Sequence, residues 1–333
     1  MNAATAINPQ TLLTAYACTG VRLYAEPILL VHGWGIGSQI WQTLPYQLSQ
    51  FADVLTLDLP GFEQSPPLED YSQASLIRWM AEVLPERCYL LGLSLGGMLS
   101  CAFAAQYPQR ISGLITLSSN LSFVASNDYS QAMPAEQYQG FTASWQEDNQ
   151  DCLKRFCGLQ TQGDKQQRQL IRQLRTMTTD IDSSAAGALL KLLGKIDNQA
   201  YIAVLNCPTL VIFGEQDALV PVACIERFKA ENNQLEIAVI ENAGHLPHLS
   251  NAKQTETLIS SFLQRQQYRL DKSKVAESFG RAAQRYDSAA VLQHKIGEKL
   301  LADLSSDDSL GSVIDLGCGT GYHSPQLQKH YAK

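Results

Sequence analysis

The run Gly92-Leu93-Ser94-Leu95-Gly96-Gly97 constrains this chain more than any other stretch. It follows a short apolar segment, residues 88–91, and precedes the helix-like residues 98–106. A serine on so sharp a strand-to-helix turn is held in a strained conformation. The flanking glycines leave room where a Cβ would strike the neighbouring strand or helix. The Gly-x-Ser-x-Gly spacing alone is weak, because at about 7% each for glycine and serine roughly one chain in ten of this length carries it by chance. Its place between a strand and a helix gives it weight.

Five further apolar runs, residues 28–31, 54–57, 114–117, 210–213 and 237–240, read as buried strands with helix-length segments between most of them. Strands that are apolar on both faces and alternate with helices predict a mainly parallel sheet in an α/β fold. The alternation stops between residues 121 and 200, a stretch rich in Gln, Ser and Asp with no long strand-like run. Segments 166–176 and 184–193 read as helices there, so an all-helical cap over the strand ends is expected. Around 265–274 apolar content falls and charge rises; beyond it 275–304 reads as helical, and 313–316 reads as a strand opening a second glycine-rich turn. At roughly 150 residues per domain, 333 residues fit about two domains. The boundaries expected are 1–265, a linker over 266–274, and an incomplete domain over 275–333.

Hydrophobic residues make up 45% of the chain, enough for a large core and against wholesale disorder. A net charge of −7 argues against general binding of nucleic acid or an anionic membrane. No apolar run approaches the ~20 residues of a membrane helix. The start, Met1-Asn2-Ala3-Ala4-Thr5, lacks the basic and apolar segments of a secretory signal. The eight cysteines include no Cys-x-x-Cys pair and no Cys/His cluster of zinc spacing. Buried reduced thiols, no metal, no disulfide and a cytoplasmic location are therefore expected.

A serine hydroxyl needs a base, and the base an orienting carboxylate. Of six histidines, His294, His323 and His330 lie past the break near 265. His32 precedes the serine, where support of a turn suits it better than proton transfer. His245, in Asn242-Ala243-Gly244-His245, follows the last strand and is the preferred base; His248 is the second candidate. The carboxylate should close an earlier strand, and Gly214-Glu215-Gln216-Asp217 follows residues 210–213. Asp217 is preferred and Glu215 is the alternative. The expected catalytic group is then Ser94, Asp217 and His245. The oxyanion formed on attack needs preorganised donors. These are the N–H of Leu95, just after the serine, and that of Trp34 in the loop His32-Gly33-Trp34-Gly35.

Five stretches, LLVHGWG (29–35), LDLPGF (57–62), LLGLSLGG (90–97), RFCGLQTQG (155–163) and GEQDALVP (214–221), resemble the α/β-hydrolase esterases, most closely the pimeloyl-acyl carrier protein methyl ester carboxylesterases of biotin synthesis. HGWG, GxSLGG and DxLVP are shared by many hydrolases, whereas the Arg-Phe-x-x-Leu-Gln stretch of the cap is narrower. Glu63 departs from the glycine usual after DLPGF. The resemblance implies a cofactor-free serine esterase acting on a methyl-capped pimeloyl chain borne by an acyl carrier protein. It implies substrate contacts at Trp34, Ser94, Leu95, Phe156, Cys157, Gly158, Leu159, Gln160 and His245.

Residues 151–175 carry Lys154, Arg155, Lys165, Arg168, Arg172 and Arg175 against Asp151 and Asp164, a net of +4 that leaves −11 for the rest. Arg168, Arg172 and Arg175 share one helix face by spacing. A solvated face and a docking stripe fit this pattern equally well. Once the resemblance is admitted, Arg155, Arg168 and Arg172 are expected to dock the acidic carrier protein, with Asp151 standing where a relative would have another basic residue.

Residues 275–286, with Phe279-Gly280-Arg281-Ala282-Ala283 among them and Leu292-Gln293 after them, resemble the start of the malonyl-acyl carrier protein O-methyltransferases. VIDLGCGTG at 313–321 looks like their first S-adenosylmethionine motif, with Asp315, Gly317, Gly319 and Gly321 as the cofactor-binding positions. Only 12 residues follow Gly321, with no second strand to supply a ribose-binding carboxylate, so no methyl transfer is expected of this chain as it stands. S-adenosylmethionine is expected only in a longer, complete parent. The other hydrolytic readings are a general short-chain esterase and a carbon–carbon bond hydrolase. A ligand receptor on the same scaffold and a parent whose main role is methyl transfer are the readings outside hydrolysis. The oligomeric state is not legible.

Overall fold

The computed structural model describes residues 12–177, 181–267, 286, 290–303 and 321–331. Seven strands form one sheet: β1 (Leu13–Tyr16), β2 (Ile28–Val31), β3 (Val54–Leu57), β4 (Cys88–Leu93), β5 (Ile111–Leu117), β6 (Thr209–Gly214) and β7 (Glu236–Ile240). Their spatial order is β1-β3-β2-β4-β5-β6-β7. Every neighbouring pair is parallel except β1 with β3. β2, β4 and β6 are buried along their whole length, so they read as unbroken apolar runs rather than alternating ones. β1 has no such signature. It is a half-exposed Leu-Thr-Ala-Tyr edge segment, and sequence reading passes over it.

Alternate residues of each strand feed two cores, one on each face of the sheet. Leu29, Val31 and Leu90 belong to a cluster that includes Leu76 and Met80, together with Leu99 and Phe103. Ile28, Leu30 and Leu91 belong to a second one with Leu48, Ile259, Phe262 and Leu263. The helices supplying these residues are α1 (Leu44–Leu48), α2 (Gln73–Val83), α3 (Leu95–Gln106) and, at the end of the unit, Ala252–Gln267. Each fully buried Leu, Ile or Phe contributes about 1.5–3 kcal/mol relative to an exposed one. The two cores therefore fix the strand ends rigidly. The last helix also runs two residues past the boundary expected at 265, and its Arg265 pairs with Glu236 of β7.

The cap between β5 and β6 consists of α4 (Ala135–Glu147), α5 (Asn149–Gln160), α6 (Gln167–Arg175) and α7 (Ser183–Leu193). The side chains of Asp148 and Asp182 cap α5 and α7 by accepting the N–H of Asp151 and Ala185. The expectation of an all-helical insertion fails at its start. Residues 121–134 form no helix and close instead on the bridges Val124↔Met133 and Ser126↔Tyr129. Ser122, Ser126, Asn127 and Asp128 favour turns, Pro134 delays the first helix, and Tyr129 is buried among them.

The chain divides into two compact units, Met1–Gln267 and Tyr268–Lys333. In the second, Val291–Ala302 and Ser324–Tyr331 are helical. Asp315, Gly317, Gly319 and the strand expected at 313–316 lie outside the described residues. Among the described residues, no helix is long and apolar enough to cross a membrane.

Candidate active site

β4 ends at Leu93 and α3 begins at Leu95, so Ser94 alone makes the turn, at φ +51° and ψ −118°. A side chain in that region costs about 1–3 kcal/mol and persists only where the surroundings impose it. They do so here: Ser94 N–H donates to Leu117 O at 2.9 Å, and Ser119 Oγ donates to Ser94 O at 2.8 Å. A Cβ on Gly92 would lie 2.5 Å from Gly97 Cα, and one on Gly96 would lie 2.2 Å from Val31 O. Both glycines are thus demanded by the close approach of β4, β2 and α3.

Asp217 and His245 follow β6 and β7 at the same carboxyl edge of the sheet that carries Ser94. His245 Nδ1 donates to Asp217 Oδ2 at 2.8 Å, with both side chains fully buried. Asp217 Oδ1 accepts from the N–H groups of Leu219 (2.8 Å) and Val220 (3.0 Å). The carboxylate is therefore locked, and it fixes the proton on Nδ1, leaving the lone pair on Nε2. Nε2 is buried without a hydrogen-bond partner, so no hydrogen bond closes the path from Ser94 Oγ to the ring. Catalytic hydrogen bonds of unliganded enzymes are often long and tighten only with substrate. An orphaned buried acceptor costs about 1–3 kcal/mol; Nδ1 of His248 is buried without a partner as well, so the pairing with Asp217 is what singles out His245.

The alternatives of the sequence are placed elsewhere. His248 Nε2 donates to Ile40 O at 3.2 Å, and burial pushes its pKa down to about 4. Glu215 accepts the Asn242 N–H at 2.9 Å and ties the two loops together at the surface. His32 Nδ1 donates to Gly33 O at 2.7 Å, and Nε2 accepts the Leu59 N–H at 2.9 Å. Burial holds it neutral, below the ordinary imidazole range, despite the nearby Asp58. It supports the loop, as expected.

Trp34 is clamped by the cap. Its indole N–H donates to Ala186 O at 2.8 Å, and the rings of Trp145 and Phe156 meet it edge-on at 5.3 and 4.8 Å. Among the described residues no hydrogen bond uses the main-chain N–H of Trp34 or Leu95. A cavity of about 750 Å³ opens beneath the cap, lined by Phe141, Arg155, Phe156, Leu159, Leu193 and Leu219 among others. Its lining includes Phe156, Gly158 and Leu159 of the expected contacts. It does not include Ser94, Trp34, Leu95 or His245, nor Cys157 or Gln160. Cys157 packs into the core with Leu174 and Met177, and Gln160 is buried. The main chain of Gln160 has a role that its residue type does not signal: its carbonyl accepts the His245 N–H at 3.1 Å.

A family profile for the alpha/beta hydrolase fold matches residues 26–252 of this chain. The chain belongs to the α/β-hydrolase family. The biotin biosynthesis bifunctional protein BioHC of Cellvibrio japonicus is 41% identical over 303 residues, which is 91% of this chain and 60% of that protein. The pimeloyl-acyl-carrier protein methyl ester esterase of Aeromonas salmonicida is 34% identical over 245 residues, 71% of this chain and 94% of that protein. Among solved structures, an esterase from Exiguobacterium antarcticum aligns with a TM-score of 0.68 at 16% identity, covering 76% of this chain and 94% of that one; the likeness is one of fold. The chain spans between 54% and 60% of the length of the bifunctional relatives it matches.

The cap of this α/β hydrolase exposes its basic residues unevenly. Arg155 borders the cavity and pairs with Asp151 at 2.7 Å. Arg168 and Arg172 are exposed on α6, opposite the buried Leu170 and Leu174, and neither makes an ion pair among the described residues.

Proposed function

We propose that this chain is a serine carboxylesterase that removes the methyl group from a methyl-capped pimeloyl chain carried on an acyl carrier protein. The buried Asp217–His245 pair, with its unpartnered Nε2, carries the hydrolytic reading. The ester reading draws on the 34% identity to an esterase of which this chain covers 94%. Ser94 Oγ attacks the ester carbonyl while His245 Nε2 takes its proton. The tetrahedral oxyanion meets the N–H groups of Leu95 and Trp34. On collapse the protonated His245 gives its proton to the departing methoxide, and methanol leaves an acyl-serine. Water then attacks, giving its proton to Nε2, and Ser94 departs with that proton as the free carboxylic acid forms. No group outside the protein and water is needed.

The apolar side chains lining the cavity, Phe141, Phe156, Leu159, Leu193 and Leu219, suit the methylene stretch of an acyl chain. The carrier protein would sit on the basic face of α6, where Arg168 and Arg172 point into solvent. The test is the methyl ester of pimeloyl carrier protein, followed by mass spectrometry. Loss of the methyl group with the wild type and not with Ser94→Ala is the expected result; turnover that survives Ser94→Ala refutes the reading.

The similarity to bifunctional proteins of which this chain spans 60% favours a second, compatible reading: a longer parent that also transfers methyl groups from S-adenosylmethionine. Of the glycine-rich turn only Gly321 is described, at φ +77°. One residue does not make a cofactor cradle, and no chemistry is derived through it.

A further inference from the structure

The stretch 160–164, between α5 and α6, is wedged between the two loops that carry Asp217 and His245. Gln160 O accepts the His245 N–H at 3.1 Å. A Cβ on Gly244 would lie 3.1 Å from Gln162 O, and one on Gly163, at φ +82°, would lie 2.8 Å from Gln216 Cβ. At the end of this strap stands Asp164, a carboxylate only 7% exposed. Its Oδ2 accepts the Gly244 N–H at 3.3 Å, and its Oδ1 accepts the Gln166 N–H at 2.8 Å at the start of α6. Among the described residues no cation pairs with it. Its two oxygens therefore join the loop that leads into His245 to the residues that open α6.

We propose that Asp164 is a positioning residue for His245: it grips the amide that precedes the catalytic ring and anchors the basic helix α6 with the same carboxylate. The inference rests on the reading of Ser94, Asp217 and His245 as the hydrolytic group. His245 is held from the side chain by Asp217 and from the main chain by Gln160 O and, through Gly244, by Asp164. Removing the last restraint lets the ring drift without unfolding either loop. A displacement of about 1 Å from a change far from the chemistry costs on the order of 100-fold in rate, so loss of one restraint of three should cost about tenfold.

The test uses the full chain with p-nitrophenyl acetate, a substrate too small to reach α6. Asp164→Ala should lower kcat about tenfold with KM unchanged. Asp164→Asn, which keeps the shape and one acceptor oxygen, should fall between it and the wild type. The rate of Ser94 modification by a phosphonate should drop by the same factor as kcat. The downfield proton resonance of the His245–Asp217 hydrogen bond should shift or broaden in both variants. Wild-type kcat and an unchanged resonance in folded Asp164→Asn overturn the proposal, as does a change confined to KM. If Asp164→Ala does not fold, Asp164→Asn decides alone. If the wild type itself hydrolyses no ester, the esterase reading fails, and the resonance alone decides whether Asp164 positions the ring.

Discussion

Replacing Asp217 by Asn tests the core of the mechanism because the surrounding donors dictate how the new amide must turn. Asp217 Oδ1 accepts two main-chain N–H groups, at 2.8 and 3.0 Å, while Oδ2 accepts one from His245 at 2.8 Å. The amide oxygen of Asn must face the two main-chain donors, since an NH2 there would meet only other donors. The NH2 then faces Nδ1 and donates to it. The ring proton is driven to Nε2, the atom that has to receive the serine proton. The fold loses nothing, because each hydrogen bond survives with its polarity adjusted. The corresponding change in a serine protease lowers kcat about 10⁴-fold through the same tautomer inversion, and at about 1.36 kcal/mol per decade that is roughly 5 kcal/mol of transition-state stabilisation. Turnover of p-nitrophenyl acetate by Asp217→Asn should therefore fall close to the level of Ser94→Ala, with a melting temperature within a few degrees of the wild type. Retention of more than a tenth of wild-type kcat by a folded Asp217→Asn would refute the assignment of both Asp217 and His245.

Three other outcomes are expected. The double variant Arg168→Glu/Arg172→Glu should raise KM for carrier-bound methyl pimelate and leave p-nitrophenyl acetate turnover unchanged; equal loss on both substrates defeats carrier docking on α6. Glu63 sits at φ +50° and accepts a hydrogen bond from Gln39 Nε2 at 2.5 Å. Glu63→Gly and Glu63→Ala both lose that bond, but only the glycine relieves the backbone, so in urea denaturation Glu63→Gly should be about 1 kcal/mol the more stable. Burial lowers the His248 pKa from 6.5 to about 4, so between those values the unfolded state binds more protons and stability falls as pH falls. Going from pH 7 to 4.5 should cost about 2 kcal/mol through this group, a loss absent in His248→Gln, whose amide can still reach Ile40 O; identical pH dependence in the two proteins contradicts the argument.

The fold was legible where burial leaves only one kind of residue acceptable. β2, β4 and β6 are buried on both faces, and so appear as ILLV, CYLLGL and TLVIFG. β1 pairs at the sheet edge with two exposed residues between two half-buried ones, and LTAY carries no comparable signal. The elbow was legible for a related reason, since contacts of 2.2–2.5 Å around Gly92 and Gly96 exclude every residue with a side chain. Asp217 and Glu215 follow the same strand two residues apart, and the sequence carries no physical ground for choosing between them; the structure separates them, one locked by three donors and the other exposed beside Asn242. Residues 121–134 lack a strand pattern without being helical, because their Ser, Asn and Asp residues make turns.

What stayed hidden is how the cap reaches the chemistry, because that link runs through the main chain. The Arg-Phe-x-x-Leu-Gln stretch invites a reading in terms of side chains that touch substrate, and Phe156 and Leu159 do line the cavity. Gln160 instead offers His245 its carbonyl, which any residue type supplies equally well. Such a contact leaves no compositional trace at its own position. It shows only through the glycine at 244, where a side chain would press within 3.1 Å of Gln162 O, and through the Asp164 side chain that accepts the Gly244 N–H. Swapping this cap for that of another α/β hydrolase would therefore alter turnover of small esters as well as acyl preference, since the cap supplies part of the mount of His245. Unchanged kcat for p-nitrophenyl acetate in such a chimera would show that sheet and Asp217 alone suffice to hold the ring.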